Sequence, residues 1–388
     1  MGTGSSEVCV KNQMKTIAII TSQAFSLVNF RGPLIRELVA RQVKVFALAP
    51  DFDDEQRRAI LELGAQPVDF SLARTGMNPL RDGLDTIRLA LLLRRLRPDV
   101  TLGYFIKPVI YGTLAAWVAR VPRRVALIAG LGYVFTPAAN GFSWRRKVLR
   151  FMVKRLYQLG LAGSSLVIFQ NNDDLSEFVQ NGLVHGDKAV RVNGTGVDLA
   201  EWNVKASVTQ PLTFLLAARL LREKGIVEYA EAARRVKAIH PAARFVLLGG
   251  LDSNPGGLSR AEVESWVNEG LLEWHGHVPV KPWLAQASVY VLPSYYREGV
   301  PRSTQEAMAM GRPVITTDAP GCRETVVEGE NGFLVPVRDP EALAKAMLRF
   351  IENPQLVETM GRASRALAER RFDVNKINAK MLGWLGFV

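Results

Sequence analysis

Residues 289–317 read VYVLPSYYREGVPRSTQEAMAMGRPVITT, and this stretch predicts the fold of the chain. The apolar run Val289–Leu292 predicts a buried strand, and the loop Pro293–Arg302 follows it. Ser303–Met310 predicts a helix, which a glycine and a proline then end. Pro313–Thr317 predicts the next buried strand. These elements form a βαβ unit, and in open α/β sheets ligands bind at the carboxyl ends of the strands, where this loop lies.

Two carboxylates flank the turn that leads into the predicted helix. Glu298 lies in the loop and Glu306 lies in the helix. Between them, Gly299, Val300 and Pro301 form a turn of small residues, where backbone N–H groups can face an anion at the helix N-terminus. This arrangement favours a site for an anionic ligand, and the five residues are our candidates for contacts with it.

Each carboxylate also has a structural interpretation, which the sequence leaves open. Ser303 and Glu306 have the spacing of a capping box, in which Glu306 would only stabilise the start of the helix. Glu298 follows Arg297 and could be an ordinary solvated charge in a loop. A ligand role for either residue therefore needs support from other parts of the chain.

The composition is that of a globular protein with two domains. A length of 388 residues suggests two domains, and 48% hydrophobic with 22% charged residues allows a sizeable core. The two cysteines, Cys9 and Cys322, form neither a disulfide framework nor a metal spacing, which favours a reducing compartment. Residues 1–14 predict a flexible polar tail without the apolar core of a signal peptide. No apolar run reaches the roughly 18 residues that a membrane-spanning helix needs.

The positive charge is concentrated in the first half of the chain. Residues 1–195 hold 26 Lys and Arg against 15 Asp and Glu, which gives them +11 of the formal net charge of +12. This asymmetry suggests an anionic partner: a membrane surface, a nucleic acid or a diphosphate substrate. Ser143–Leu161 combines six cations with apolar residues and has no acid, which is typical of an interfacial membrane helix. An ordinary packing helix with a basic outer face is the alternative. The six cations are Arg145, Arg146, Lys147, Arg150, Lys154 and Arg155.

Strands and helices alternate along the chain, which predicts parallel sheets with helices on both faces. An irregular segment, 197–210, predicts a linker, after which the alternation restarts. We therefore predict an α/β fold of two Rossmann-like domains, 15–196 and 211–372, with a last helix within 373–388. The other predicted strands are Thr16–Thr21, Lys44–Ala49, Gln66–Asp69, Val100–Tyr104, Arg124–Ile128, Leu166–Phe169, Thr213–Ala218, Arg244–Leu248 and Leu272–His275.

Two cations follow the first strand of the second predicted domain. Arg219 and Lys224, in AARLLREKG, precede Gly225, which opens the next predicted helix. The forked donors of Arg219, the point charge of Lys224 and the helix N-terminus behind them suit a diphosphate. Two exposed loop charges are the alternative. Further along, Gly249 and Gly250 end a strand and permit close approach of the backbone.

These motifs resemble those of the family 4 retaining glycosyltransferases. The resemblance rests on the E-x7-E spacing of Glu298 and Glu306, the AMAMGRPVI run after it, and the R-x4-K-G motif of Arg219 and Lys224. It implies the GT-B fold, in which two Rossmann-like domains face each other across a cleft and the last helix crosses back to the first. It also implies that Glu298 contacts the donor sugar, Glu306 the ribose, and the two cations the diphosphate. Val278, in HGHV, would line the nucleobase pocket, where backbone groups read the base.

The first predicted domain departs from the common pattern of this family. Many members have a histidine here that contacts the donor sugar, whereas this chain has none before His185. Lys107 and the later run GLGYVF resemble members that extend sugars on undecaprenyl diphosphate. Lys107 would then contact acceptor or donor phosphate, and a surface lysine in a loop is the alternative. Gly32, with Arg31, lies in the predicted loop Ser22–Gly32 and would lie near the diphosphate.

The resemblance implies a specific reaction and location. A hexose or N-acetylhexosamine would move, with retention, from a nucleotide sugar linked to UDP onto a lipid-linked or polysaccharide-precursor acceptor. With an acceptor built on undecaprenyl diphosphate, we expect a cytoplasmic enzyme that is peripheral on the inner face of the cell membrane and contacts it through the basic helix near 143–161. We expect no cofactor, no metal at the site and no nucleic-acid partner.

Three other functions compete with this one. An NAD-dependent oxidoreductase needs G-x-G-x-x-G after its first strand, and the sequence has no such motif there. A nucleic-acid-binding protein would space aromatic residues along a basic groove, whereas the basic excess here is interleaved with apolar residues at helical spacing. A nucleotide-sugar epimerase of the same fold would share the nucleotide site and stays open.

Overall fold

Two sheets form the framework of the chain, whose described residues in this computed structural model are 15–73, 78–136, 144–252, 254 and 256–387. The strands of the first sheet are β1 (Thr16–Ile20), β2 (Lys44–Ala49), β3 (Gln66–Asp69), β4 (Val100–Tyr104), β5 (Arg123–Ile128), β6 (Leu166–Phe169) and β7 (Ala189–Arg191). Those of the second sheet are β8 (Thr213–Ala217), β9 (Arg244–Leu248), β10 (Glu273–Trp274), β11 (Val289–Leu292), β12 (Val314–Thr317) and β13 (Gly332–Val335).

The strand orders are those of doubly wound sheets. They are β3-β2-β1-β4-β5-β6-β7 in the first sheet and β10-β9-β8-β11-β12-β13 in the second. In the second sheet, β8 pairs in parallel with both β9 and β11. The order therefore reverses at β8, and the carboxyl ends of β8 and β11 lie side by side at the switch point.

Helices connect the strands, and a single π-helical turn, Pro108–Gly112, precedes the fourth of them. The helices are α1 (Phe25–Ala40), α2 (Asp54–Glu62), α3 (Pro79–Leu96), α4 (Thr113–Val118), α5 (Trp144–Ala162), α6 (Asn172–Gln180), α7 (Ile226–Ile239), α8 (Arg260–Asn268), α9 (Lys281–Gln286), α10 (Arg302–Ala309), α11 (Pro340–Glu352), α12 (Gln355–Arg371) and α13 (Val374–Leu385). In the part of the chain that the structure describes, no helix has the length and apolar character needed to cross a membrane.

The predicted strands are confirmed to within one residue at each end. They are apolar runs, and in the central strands β1 and β11 nearly every residue is buried. The sequence did not predict β7 and β13, which are the last strands at the edges of their sheets. Short edge strands carry a weaker apolar signal, because one side of them has no neighbouring strand.

The predicted loop Ser22–Gly32 is wrong, because α1 begins at Phe25. Gly32 and the following proline therefore lie inside a helix. The N-cap residue Ala24 has no side chain that can cap, and its backbone N–H instead donates to Oδ1 of Asp51 at 2.7 Å. Because this capping group comes from the segment after β2, the local sequence carries no signal for the helix start.

The contacts divide the chain into two compact units. Of the described residues, the first unit holds 15–126, 163–165 and 385–387, and the second holds 127–162 and 166–384. The strands of the two sheets lie on either side of residues 197–210. The compact units begin and end elsewhere, so the predicted domain bounds and the crossing of the last helix stay predictions.

Candidate active site

A mostly buried ion pair connects the segments that follow β8 and β11. Lys224 ends a short 3₁₀ turn after β8, and Glu298 lies in the loop after β11. Lys224 Nζ donates to Oε1 of Glu298, and both side chains are only 13% exposed. Ser294 Oγ donates to the same oxygen at 3.1 Å. The structure therefore brings together two of the predicted catalytic residues, and the interpretation of Glu298 as a solvated loop charge is wrong.

Main-chain contacts hold the two loops against each other. The N–H groups of Tyr295 and Tyr296 donate to the carbonyl oxygen of Glu223, at 2.9 and 3.0 Å. Gly225 has a φ of 76°, and a Cβ there would lie 2.1 Å from the carbonyl oxygen of Pro293. Only glycine permits this approach, so Gly225 allows α7 to begin directly behind Lys224.

Arg219 is bound to a different carboxylate. Its Nη1 donates to Oδ2 of Asp252 at 2.8 Å, and its side chain is 48% exposed. Burial by itself would raise the pKa of the Asp252 carboxyl, but the hydrogen bond from the Asn254 N–H and the charge of Arg219 outweigh it and lower that pKa. Asp252 is thus an anion that orients Arg219. The sequence analysis missed Asp252, although its place just after the Gly249-Gly250 strand end is a usable signal.

The capping-box interpretation of Glu306 is wrong. Helix α10 begins at Arg302, its N-cap is Pro301, and no side chain caps it. Ser303 therefore lies within the first turn and not at the capping position. Glu306 accepts a hydrogen bond from Arg302 Nε at 2.8 Å, and burial raises the pKa of its carboxyl in spite of this arginine. The carboxylate is thus available for a role other than holding the helix start.

The turn before α10 is tightly packed. A Cβ on Gly299 would lie 2.0 Å from Gln170 Oε1, and a Cβ on Gly130 would lie 2.4 Å from the backbone nitrogen of Gly299. Val300 and Pro301 are buried. The candidate anion site is therefore a rigid turn at a helix N-terminus without a side-chain cap, where backbone donors and the helix dipole favour negative charge.

Asn171 and Arg297 fix the backbone beside Glu298, and the sequence analysis assigned no role to either. Asn171 Nδ2 donates to the carbonyl oxygens of Glu298 and of the next residue, at 3.1 and 2.9 Å. Arg297 Nη2 donates to Oδ1 of Asp174 at 2.6 Å and to Oε2 of Glu177 at 3.0 Å. These contacts join residues far apart in sequence, so no local motif predicts them.

Tyr290 is a further residue that the sequence did not indicate. It lies on β11, is fully buried, and donates its hydroxyl to the carbonyl oxygen of Ala217 at 3.0 Å. Burial raises the pKa of its phenol, and the charges of Glu306 and Glu298 raise it further. Tyr290 therefore lies within electrostatic range of both candidate carboxylates.

Of the two glycines after β9, Gly249 makes the close backbone contact that the sequence predicted. A Cβ on Gly249 would lie 1.8 Å from the carbonyl oxygen of Ala218. On Gly250 a Cβ would make only an ordinary contact with His277. Val278 is partly buried and packs against the core of the second unit. Contacts of Gly250 and Val278 with a nucleobase stay predictions.

Two predicted contact residues lie in the first unit. Lys107 Nζ donates to Oδ1 of Asp82 at 2.7 Å, and the lysine side chain is mostly buried, so its interpretation as a surface lysine is wrong. Gly32 lies inside α1, where a Cβ would meet only Leu63 Cδ1 at 3.8 Å. Its backbone position therefore does not require glycine. Phosphate contacts for Lys107 and Gly32 stay predictions.

Helix α5 has an apolar outer side, and two of its cations turn inward. Arg150 Nη2 and Lys154 Nζ lie 2.6 and 3.5 Å from Oε1 of Glu177. Burial alone would raise the pKa of Glu177, but the hydrogen bond from Arg150 and the nearby cations lower it. The side chains of Arg145 and Arg146 are not among those that the structure describes. The exposed residues of α5 include Trp144, Lys147, Val148, Phe151, Met152, Arg155 and Leu159.

Models of two protein families match this chain. Residues 22–171 match "Glycosyl transferase 4-like", and residues 211–353 match "Glycosyl transferases group 1". The two matches follow one another along the chain and cover most of both sheets.

Individual proteins agree with these matches. The chain is 28% identical over 355 residues to the N,N'-diacetylbacillosaminyl-diphospho-undecaprenol alpha-1,3-N-acetylgalactosaminyltransferase of Campylobacter jejuni, covering 88% of this chain and 90% of that protein. It is 29% identical over 216 residues to the amylovoran biosynthesis glycosyltransferase AmsK of Erwinia amylovora, covering 51% of this chain and 52% of that protein. HepE of Anabaena, solved in complex with UDP, superposes with a TM-score of 0.74 at 19% identity, over 97% of this chain and 100% of that chain.

The fold, the family matches and a relative aligned along nearly its whole length lead to one assignment. The chain is a glycosyltransferase of the GT-B fold, in which residues 22–171 match the 4-like model and residues 211–353 match the group 1 model.

Proposed function

We propose that this glycosyltransferase moves a sugar from a UDP-linked donor to a sugar carried on a polyprenyl diphosphate, with retention at the anomeric carbon. The observation that carries the proposal is the buried Lys224–Glu298 pair beside the uncapped N-terminus of α10. It places a cation and a carboxylate at the carboxyl ends of adjacent strands. Lys224 suits the phosphate oxygens of the donor, and Glu298 suits the hydroxyl groups of its sugar.

The reaction requires stabilisation of the charge that develops on the departing diphosphate. The bond between the anomeric carbon and the phosphate oxygen breaks while the acceptor oxygen bonds to the same face of that carbon. The acceptor proton passes to the departing phosphate oxygen. Lys224, Arg219 and the backbone N–H groups before α10 act by electrostatic stabilisation, and Asp252 keeps Arg219 oriented. Glu306 accepts hydrogen bonds from the ribose.

Named relatives support the proposed substrates. Structures of HepE contain UDP or UDP-glucose. The name of the Campylobacter jejuni relative specifies transfer of N-acetylgalactosamine to an undecaprenol-diphosphate-linked sugar. We propose a UDP-hexose or UDP-N-acetylhexosamine as donor and a sugar on undecaprenyl diphosphate as acceptor. Lys107 is the candidate contact with the acceptor phosphate.

Substitution of the cations tests this assignment. Lys224→Ala and Arg219→Ala should each lower kcat by about a hundredfold, because each removes one preorganised donor to the developing charge. Arg222→Ala is the matched control, since Arg222 lies on the same loop, is also 48% exposed and pairs with Glu262. Transfer of radiolabelled sugar gives the rates. Turnover near that of the parent in both active-site variants would contradict the diphosphate role.

Product analysis separates transfer from epimerisation. Each UDP-sugar that raises the Tm of the protein is incubated with and without a lipid-linked acceptor. We expect a glycosylated lipid only when the acceptor is present, with an unchanged sugar in its absence. Glu298→Gln should reduce turnover while the donor still binds. An altered donor sugar formed without acceptor would assign the site to an epimerase instead.

We further propose that α5 contacts the membrane that carries the acceptor. Its outer side has large apolar residues, with Lys147 and Arg155 exposed among them. Apolar side chains can insert into the headgroup boundary, and each cation near an anionic leaflet contributes about 1 kcal/mol. Arg150 and Lys154 contribute little to such binding, because both turn inward to Glu177 and their side chains are only 28% and 22% exposed.

Vesicle binding tests the role of α5. The double variant Phe151→Gln with Leu159→Gln should bind vesicles of phosphatidylcholine and phosphatidylglycerol about tenfold more weakly or worse, because it removes two insertable side chains. Transfer to a short soluble acceptor should persist. Ile239→Gln, a similarly exposed residue on α7, is the control. Cosedimentation of the double variant equal to that of the parent would exclude α5 as the anchor.

A further inference from the structure

The outer face of α3 carries a continuous row of large apolar side chains. The four residues are spaced by four, three and four positions, so they share one side of the helix. Scattered apolar residues are normal on a protein surface, but a continuous row of this length marks an interaction surface. They are Leu80 (83% exposed), Leu84 (56%), Ile87 (59%) and Leu91 (58%).

The charges of α3 are separated between its two faces. Its only acids, Asp82 and Asp85, are buried, and Asp82 accepts the hydrogen bond from Lys107. Arg81 and Arg88 are exposed beside the apolar row and lie 4.0 and 3.7 Å from Asp85. The other exposed charges of this helix are also arginines, at positions 94 and 95. The outer face of α3 is therefore apolar and positively charged.

A second copy of the chain is one occupant that such a face could have. The spacing of the apolar row is that of a coiled-coil seam. In a pair of α3 helices, however, the arginines that flank the row would find no exposed acid on the other helix, because both acids of α3 are buried. An anionic lipid surface complements both the apolar row and the arginines that flank it. It accepts apolar side chains at the headgroup boundary and offers phosphates to the arginines.

We propose that α3 is a lipid-binding face, on which the apolar row inserts into an anionic leaflet while the exposed Arg88 and Arg95 contact lipid phosphates. The proposal extends the membrane location proposed above to a second helix. Because α3 belongs to the first compact unit and α5 to the second, variants of the two helices can be tested separately. Vesicle binding is measured without substrates, so the result does not depend on the proposed donor and acceptor.

Cosedimentation of the 388-residue chain with vesicles tests this proposal. The triple variant Leu84→Gln, Ile87→Gln and Leu91→Gln should bind vesicles of phosphatidylcholine and phosphatidylglycerol at least about tenfold more weakly. Leu61→Gln is the matched control, because Leu61 lies in the same unit on α2 and is 58% exposed. The control should bind like the parent. Binding of the triple variant equal to that of the control overturns the proposal.

Two further measurements separate lipid binding from the rival. Replacement of Arg88 and Arg95 by Gln should remove the preference for anionic over neutral phosphatidylcholine vesicles and flatten the dependence on salt. Sedimentation velocity without vesicles should give the same species for the parent and the triple variant. A parent dimer that the triple substitution converts to a monomer, with vesicle binding unchanged, would assign the face to a second copy and overturn the lipid role.

Discussion

At the scale of single residues, Arg312 is a cation inside the protein. Its guanidinium is fully buried and donates to the carbonyl oxygens of Leu284 and Ala206 at 2.9 Å and of Ala285 at 3.3 Å. Burial lowers the pKa of Arg312 to about 10, so it stays charged at neutral pH. One side chain thus ties the end of α9 to the segment between the two sheets.

Loss of this side chain should destabilise the protein strongly. Arg312→Ala leaves three carbonyl oxygens without their donor, and we expect the free energy of unfolding to fall by about 3 kcal/mol or more. Urea unfolding measures the change. Arg362→Ala, on the exposed surface of α12, should change it by no more than about 0.5 kcal/mol. Similar losses in both variants would contradict the structural role of Arg312.

The raised pKa of Glu306 predicts a dependence of stability on pH. Between its ordinary value of 4.5 and its raised value, the folded state binds more protons than the unfolded state. The contribution of this group to stability therefore falls as pH rises through that window. The Glu306→Gln variant lacks this pH-dependent contribution. The stability of the variant relative to the parent should therefore increase from acid to neutral pH.

A second glutamate provides the control for this measurement. A hydrogen bond from Lys345 lowers the pKa of the exposed Glu341, so Glu341→Gln should lose stability relative to its parent as pH rises. Urea unfolding at a series of pH values compares the two variants. If the stability of Glu306→Gln relative to the parent also falls as pH rises, burial does not dominate the pKa of Glu306.

At the scale of elements, the loop after β11 depends on glycines that belong to distant segments. Gly130→Ala should move this loop, because the new Cβ would lie 2.4 Å from the backbone nitrogen of Gly299. The movement would displace Glu298, so we expect kcat to fall about tenfold or more. Gly182→Ala is the control. Its φ of 65° is also left-handed, but a Cβ there meets nothing within 4 Å. We expect it to lose only some stability, and an equal loss of turnover in both would contradict the positioning role.

The sequence predicted β11, α10 and β12 well, and for an identifiable reason. In β11, α10 and β12 the apolar run, the helix and the next apolar run follow one another without a break, so local patterns specify them. It failed at α1, where the group that caps the helix comes from Asp51. At Ser303 the structure excludes the capping-box alternative that the sequence left open, because α10 begins one residue earlier.

At the scale of the whole molecule, donor binding should stabilise the second unit in particular. The candidate donor residues Arg219, Lys224, Glu298 and Glu306 all belong to that unit. At a UDP concentration a hundred times Kd, we expect about 2.7 kcal/mol of added stability. Hydrogen exchange should slow in residues 219–225 and 293–306.

The Lys224→Ala variant serves as the control for this experiment. It should show much less protection from exchange at the same concentration of UDP. Protection confined to β1–β3 of the first unit, with none near Lys224, would place the nucleotide elsewhere and contradict the proposed donor site.

The sequence by itself determined most strands of the two sheets, the family and the four charged candidates for the donor site. Strand periodicity is local. Arg219, Lys224 and Glu298 lie in the segments that follow predictable strands, and Glu306 lies in the predictable helix after Glu298. Only the tertiary structure decided how these charges are paired. Lys224 binds Glu298 from 74 positions away, and Arg219 binds Asp252 from 33 positions away. Parallel strands bring distant loops to one edge of a sheet, and no local pattern records which side chains meet there.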